Sequence, residues 1–578
     1  MEPESEAEVE QPRRTEQIYL KRVCVGNYRA LENIEVELQS GVNVVIGPNN
    51  IGKSALLDAI RVALEVGKYR KTAFVRKWDF RDPAQEVSID LYFHIPDGMD
   101  GFHELLAMVD GKHELQLHVR FKLVGQPGDQ RVMPRYWGGS REVRKLDEYV
   151  LDALHAEYLG ALRDASTELR PSPFGPLAEL LKKLRSTKQD RDEIEAIFAQ
   201  AQSEEKIQTL VGDAQAAIGG HTDAIALQQD QFGVQLNPVP PEFEKLIGNF
   251  EMKLLNGVRQ SEVFQNGMGY NNILFISTVL GHIQQAKKLS DDEFYALLIE
   301  EPEAHLHPQL EDSLFAYICD LGAGSGAQII TTSHSPVIAS QCDLDNINII
   351  CGEDQAKSIS LKSLELDDQT KLKLSRFLDV TKSQLFFAKG VVLVEGISEA
   401  LIMPLLADVH FGEKRSLTKR GIEIVNVGGV SFGPFAKLFN GEKAIPMKTV
   451  ILTDKDDYDD AEGHHEMSAT ATKLLGLKRN FLEVSISDHR TFEADMWEAG
   501  NSEIMKTVYS VLHPRTTLAS AQDMLNRLDT NFDKALFAQE LAFEVESSGT
   551  ELIVPEYIRT ALEWAVGTEA SDGTGSTA

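Results

Sequence analysis

Five carboxylates in the last third of the chain fall where divalent-metal chemistry would need them. "GVVLVEGISEALIMP" ends an apolar run in Glu395, follows it with a glycine, and offers Glu399 four residues later. "KTVILTDKDDYDD" ends another apolar run in Asp454-Lys455-Asp456. If the chain stays extended there, Asp454 and Asp456 point to one side. "HRTFEADMW" adds Glu493, and "KALFAQELA" adds Lys534. Taken singly, Glu395 reads as a solvated strand end, Glu399 as a helix N-terminal charge favoured by the dipole, and Lys534 as an exposed helix lysine. As a set they offer hard oxygen donors at the carboxyl ends of strands, the edge of an α/β sheet where sites collect. So many acids in one place need cations. Two Mg²⁺ or Mn²⁺ ions, about 3.5–4 Å apart, would suit phosphodiester cleavage.

A second constellation lies upstream. "GPNNIGKS" fits the phosphate-loop pattern GxxxxGK[ST], with a strand ("NVVI") before it and a helix after it. Gly47, Asn49, Asn50 and Gly52 shape a loop whose backbone amides cradle phosphate oxygens. Lys53 would reach the outer phosphates of ATP, and the Ser54 hydroxyl would sit on Mg²⁺. "ALLIEEPEAHLHP" ends a strand in Glu300 and Glu301, the pattern of a Mg²⁺-supporting acid followed by a water-polarising one. "QIITTSHSP" ends another in His334, and "QNGMGYNNILFIS" sets Gly267 and Gly269 before a helix. Phosphoryl transfer needs positioning and charge neutralisation more than covalent work, which these residue types supply.

The first half resembles an ABC-type ATPase head of the DNA-maintenance kind. The resemblance implies that Glu301 orients the attacking water, that His334 contacts the γ-phosphate, and that Gly267–Gly269 meets nucleotide from a partner protomer. Glu300 stands where many such ATPases carry Asp, and "NGMG" lacks the usual leading serine. The second half, through its Glu–Gly turn and DxD strand end, resembles a Toprim domain. The order "GPNNIGKS", "EEPEAHLHP", "TTSHSP", "VEGISE", "TDKDD" is similar to the OLD (overcoming lysogenization defect) family of ATP-dependent nucleases. That resemblance implies metal ligation by Glu395, Glu399, Asp454, Asp456 and Glu493, with Glu395 central to catalysis and Lys534 steadying charge on the cleaved phosphate. It also implies double-stranded DNA as substrate, a homodimer or larger homo-oligomer, a helicase-like partner protein and a role in antiviral defence or DNA processing. A DNA-binding ATPase or sensor subunit with a structural Toprim half, and a Toprim ribonuclease, are the rival readings.

The elements that must position these residues follow from hydrophobic patterning. The expected fold is α/β. An acidic leader (1–17) precedes an ATPase head (18–145 and 251–370) interrupted by a helical, dimerising insertion (146–250). A Rossmann-like Toprim domain (385–500), a helical C-terminal part (501–566) and a flexible tail (567–578) follow. Alternating strands and helices point to mostly parallel sheets in both halves. The 578 residues exceed one core. No apolar run is long enough to span a membrane, and the leader lacks the apolar core of a secretory signal, so a cytoplasmic protein is expected. Four cysteines at irregular spacing argue against a zinc site or disulfide framework. A net charge of −31 gives no global attraction for nucleic acid, so DNA contact would need a local basic groove or metal ions. "VRKWDFR" (75–81) fits either a DNA contact or a structural edge, and "GHHE" (463–466) reads as a solvated loop.

Overall fold

The computed structural model describes residues 18–567 apart from 69–72, 97–104, 110–111, 127–128, 143–145, 161–164, 186, 226–234, 237–238, 240, 257–258, 290–292, 322–325, 353–354, 379–381, 429–431, 456–457, 460–464, 516–517, 522 and 525–530. The expected leader and the tail beyond Gly567 lie outside these residues, as do Asp456 and the first part of "GHHE".

Three sheets organise the chain. The first runs Leu31–Glu37, Tyr19–Tyr28, Val87–His94, Lys112–Val124, Leu106–Val109, with Arg131–Gly138 also paired to Lys112–Val124. Every pairing in it is antiparallel, which corrects the expectation of mainly parallel sheets in this half. The reason is visible in Val87–His94, whose side chains alternate buried and half-buried. Such alternation belongs to a sheet covered on one face only.

The second sheet carries the phosphate loop. Its order is Lys357–Ser360, Ile347–Cys351, Val42–Ile46, Gln328–Ser333, Phe294–Glu300, Leu154–Leu159. All neighbours are parallel except the edge strand Lys357–Ser360. Val42–Ile46 and Gln328–Ser333 are buried throughout, as strands covered on both faces must be. Leu154–Leu159 falls in a stretch expected to be helical. Its residues are instead drawn into register with Phe294–Ile299, where the parallel ladder outweighs helix propensity. The helix Lys53–Leu64 lies between the first two sheets and buries ten of its twelve residues.

A single side chain knits those sheets together. The register between Tyr19–Tyr28 and Val87–His94 slips between Leu20 and Arg22. The Leu20 N–H donates to the Gln328 carbonyl oxygen at 2.8 Å, and the Gln328 amide donates to Leu20 O and Gln39 O at 2.8 Å each.

The helices Pro176–Leu184, Lys188–Gln202 and Glu205–Ile225 follow Leu154–Leu159. Lys188–Gln202 buries none of its residues, and Ile197, Phe198, Ile207, Leu210 and Ile218 are exposed. The third sheet is four-stranded and parallel, in the order Ile422–Asn426, Gly390–Val394, Lys448–Thr453, Leu482–Ile486. The helix Glu556–Val566 returns to cover one of its faces. One apolar core runs from the second sheet into the third, through Leu361, Leu374, Leu385 and Phe386. Among the described residues no helix is long and apolar enough to cross a membrane.

Cys319 and Cys342 are joined as a disulfide, one bond where the irregular spacing argued against a disulfide framework; the helices Pro308–Leu321 and Pro336–Gln341 bring them together. The thiols of Cys24 and Cys351 are free and pushed up to about 11 by burial.

We expect Gln328→Leu to cost about 3 kcal/mol, because the buried Leu20 N–H and C=O lose their partners. Urea unfolding checks this, and an unchanged midpoint would show that the inter-sheet bonds are dispensable.

Candidate functional site

Two sites form where parallel strands end. In the first, Val42–Ile46 leads into Gly47, whose φ of +151° and whose closeness to Ile350 exclude a side chain: an added Cβ would stand 2.2 Å from Ile350 O. Asn50 and Gly52 also have positive φ, so the loop curls back toward the sheet. Lys53 is 5% exposed and donates to Gly47 O and Pro48 O, both at 2.8 Å. Burial holds its ammonium down at about 8, with Glu301 and Glu303 opposing. The neighbouring Ser54 is exposed.

Glu300 closes the strand Phe294–Glu300, and the Tyr158 hydroxyl bonds to it. Glu301 takes a φ of +44°, and its N–H donates to Thr332 O at 2.9 Å. Its Oε1 lies 3.3 Å from His334 Nε2. Burial and Lys53 lower the proton affinity of His334, against the pull of Glu301. Glu303, which the sequence reading passed over, accepts from the Ser333 hydroxyl at 2.8 Å and from the His334 N–H at 2.9 Å. Burial raises its pKa. Its signal was its place two residues after Glu301 in "EEPEAH".

Gly267 and Gly269 flank the start of the helix Met268–Leu289. Gly267 is exposed with open space around it, whereas a Cβ at Gly269 would meet Leu306 at 2.7 Å and His305 O at 2.9 Å. Gly269 is therefore a packing glycine against "AHLH", and Gly267 is the one with room for a ligand. In "VRKWDFR", Asp79 is buried and bonds the Arg29 guanidinium at 2.7 Å, Phe80 is buried, and Trp78 is exposed beneath Arg76. That segment is at least a structural edge.

The second site gathers at the carboxyl edge of the four-stranded sheet. Glu395 follows Gly390–Val394, and its Oε2 accepts from the Thr453 hydroxyl at 3.2 Å. Glu399 sits in the first turn of the helix Ile397–Phe411. Asp454 follows Lys448–Thr453 and accepts from the Phe492 N–H at 2.8 Å. Glu493 is 4% exposed in the helix Phe492–Met496, which Thr491 caps. Lys534 reaches it from the helix Asn531–Ser548, Nζ to Oε2 at 3.0 Å.

The electrostatics show that these groups face one another. Burial pushes Glu399 up to about 7, with Glu493 and Glu395 adding to the effect. Burial likewise raises Asp454 well above the carboxylate range, reinforced by Glu399, Glu493 and Glu395. Burial lowers the affinity of Lys534 for its proton, but Glu493, Asp454 and Glu399 outweigh that and raise it. Tyr557, buried on the helix Glu556–Val566, is pushed up by burial and by Asp454 among other acids.

Among the described residues, no three His, Cys, Asp or Glu side chains already form a closed metal-binding group. Three of the four acids are instead satisfied separately: Glu395 by a hydroxyl, Asp454 by a backbone amide, Glu493 by Lys534. The donor set still fits a hard divalent cation, because it offers only oxygens, and burial together with the neighbouring acids raises the proton affinity of two of its members, Glu399 and Asp454.

Comparison with known proteins bears on both halves. Residues 19–211 and 140–339 match the family described as AAA ATPase domain. Residues 386–456 match the overcoming lysogenization defect protein-like TOPRIM domain. An OLD nuclease of Thermus scotoductus is 22% identical over 396 residues, covering 66% of this chain and 72% of its own. An endonuclease GajA of Bacillus cereus is 25% identical over 371 residues, covering 52% of this chain and 53% of its own, so the match spans about half that relative's length. Among solved structures, the C-terminal region of an OLD protein of Xanthomonas campestris pv. campestris is 28% identical, covering 32% of this chain and 95% of its own with a TM-score of 0.25.

A carboxyl whose folded-state pKa is raised stabilises the fold fully below its unfolded value and loses that contribution as pH rises through its folded value. Glu399 moves from 4.5 to about 7. In metal-free buffer the wild-type unfolding temperature should therefore drop across that window more steeply than that of Glu399→Gln. Parallel pH profiles for the two proteins would contradict the burial of a repelled Glu399.

Proposed function

Since the chain belongs to the AAA ATPase domain family over residues 19–339 and carries an OLD-like Toprim domain over 386–456, we propose that it is an ATP-dependent, divalent-metal-dependent endonuclease of double-stranded DNA. The observation that carries this reading is the convergence of Glu395, Glu399, Asp454 and Glu493 on Lys534 at one sheet edge. The names of the relatives, OLD nuclease and endonuclease, support it.

In the ATPase half, Gly47, Asn49, Asn50 and Gly52 shape the loop around the phosphates of ATP, and Lys53 exchanges its two carbonyl partners for phosphate oxygens. Ser54 and Glu300 would support Mg²⁺. Glu301 orients the attacking water while His334, positioned through Glu303, senses the γ-phosphate. Gly267, with open space around it, faces the nucleotide of a second protomer, and Gly269 packs the helix start behind it. The exposed Ile197, Phe198, Ile207, Leu210 and Ile218 give the insertion an apolar face suited to homodimer contacts.

In the Toprim half, Glu395, Glu399, Asp454 and Glu493, with Asp456 from the sequence motif, would hold two Mg²⁺ or Mn²⁺ ions, which would supply an activated water and charge neutralisation. Glu395 keeps the Thr453 hydroxyl as its donor. Lys534, released from Glu493, offers its ammonium to the phosphate that gains charge. The protein is read as cytoplasmic and as working with a helicase-like partner in antiviral defence or DNA processing.

Supercoiled plasmid incubated with Mg²⁺ or Mn²⁺, with and without ATP, tests the reading. Wild type should nick it, and Glu395→Ala should lose at least about a hundredfold in rate, as removal of a metal ligand implies. Equal nicking by both would reject the site. Digestion of RNA but not DNA would reassign the substrate. Lys53→Ala should abolish ATP turnover, and full turnover by that variant would reject the phosphate loop as the nucleotide site.

A further inference from the structure

The acid cluster has an unassigned neighbour. Leu482–Ile486 is the strand beside Lys448–Thr453, so the segment that follows it emerges next to Asp454. That segment is tied down closely. The Ser487 N–H donates to Thr453 O at 3.1 Å, the Lys455 N–H to Ser487 Oγ at 2.7 Å, and the Ser487 hydroxyl to His489 O at 2.7 Å. His489 is then held by Asp495, which is 4% exposed and lies on the helix that carries Glu493. Asp495 Oδ1 takes both the His489 N–H at 3.1 Å and Nδ1 at 2.6 Å. Its other oxygen, Oδ2, is buried without a partner among the described residues.

The imidazole itself is not buried. Its side chain is 51% exposed, and among the described residues Nε2 has no partner. A buried carboxylate that spends one oxygen on both the backbone and the ring of an exposed histidine fixes the tautomer and aims the other edge outward. Such fixing is costly in side-chain entropy unless the outward edge has something to meet.

We propose that His489 is a DNA-backbone contact of the nuclease site, donating Nε2–H to a phosphate oxygen of the strand entering the acid cluster, with Asp495 as its positioning residue. This rests on the endonuclease reading above. No bond is made or broken at His489; it binds and orients.

The test uses the full chain and a short fluorescent DNA duplex, bound in EDTA over a range of salt concentrations, followed by plasmid nicking with Mn²⁺. His489→Ala should bind about tenfold more weakly, as loss of a charge-assisted hydrogen bond implies. The slope of log affinity against log salt should fall by about one. KM for nicking should rise more than kcat falls, while ATP turnover and unfolding temperature stay at wild-type values. His489→Arg should recover the salt slope and most of the affinity. Wild-type binding and nicking by His489→Ala would overturn the assignment while leaving the endonuclease reading intact. A loss that Arg does not restore, together with a lower unfolding temperature, would mean a structural role and overturn it as well. A wild-type protein that neither binds nor nicks DNA would sink both.

Discussion

Repulsion among four carboxylates is the constraint around which the C-terminal half is arranged. Two unit charges ~6 Å apart at an effective dielectric of ~20 repel by about 3 kcal/mol. A fold that brings Glu395, Glu399, Asp454 and Glu493 together must offset several such terms. It does so by distributing partners: the Thr453 hydroxyl, the Phe492 amide and the Lys534 ammonium each answer one acid. Among the described residues no cation or hydroxyl bonds Glu399, and burial with the neighbouring acids raises its affinity for a proton. Several distant elements share in this arrangement. Lys534 lies 41 positions beyond Glu493, and Tyr557, farther along still, helps bury the cluster. The helices after residue 500 are therefore part of the site's wall as well as of its core.

The two sites are linked by continuous packing. His334 ends a strand of the nucleotide sheet, and the helix Pro336–Gln341 follows it directly. That helix packs on the segment Lys382–Phe387, which leads into Gly390–Val394 and so to Glu395. His334, the proposed nucleotide sensor, and Glu395, the proposed metal ligand, thus stand at the two ends of a single run of packed elements. Continuity of this kind is a necessary condition for nucleotide state to bias the acid cluster, and only a difference in affinity between two states makes it an energetic coupling.

What the sequence made legible is what local pattern encodes. Apolar β-branched runs such as "VVLV" and "VILT" end in acids, and the strands are where those runs are. Glycine at 47 is forced because an added Cβ would stand 2.2 Å from Ile350 O, and the motif around it carries that information. Strand direction was less legible, because parallel and antiparallel pairs differ in partners rather than in composition; only the alternation in Val87–His94 hinted at it. Leu154–Leu159 was misread because "LHAEYL" is half polar and sits among helix formers, and its neighbour in the sheet decides its conformation. The Cys319–Cys342 bond joins residues 23 apart with no spacing signature. Glu303 and the His489–Asp495 pair escaped for a similar reason. Their partners are set by tertiary structure, and a lone acid or histidine looks the same in either role.

The central claim is that these acids form one divalent-metal pocket, with Lys534 standing in for positive charge when metal is absent. Anomalous diffraction from crystals of the full chain soaked in Mn²⁺ measures this directly. The account predicts manganese peaks between Glu395, Glu399, Asp454 and Glu493, with Lys534 displaced from Glu493. A map with no peak there at saturating Mn²⁺, and with Lys534 still paired to Glu493, would contradict it.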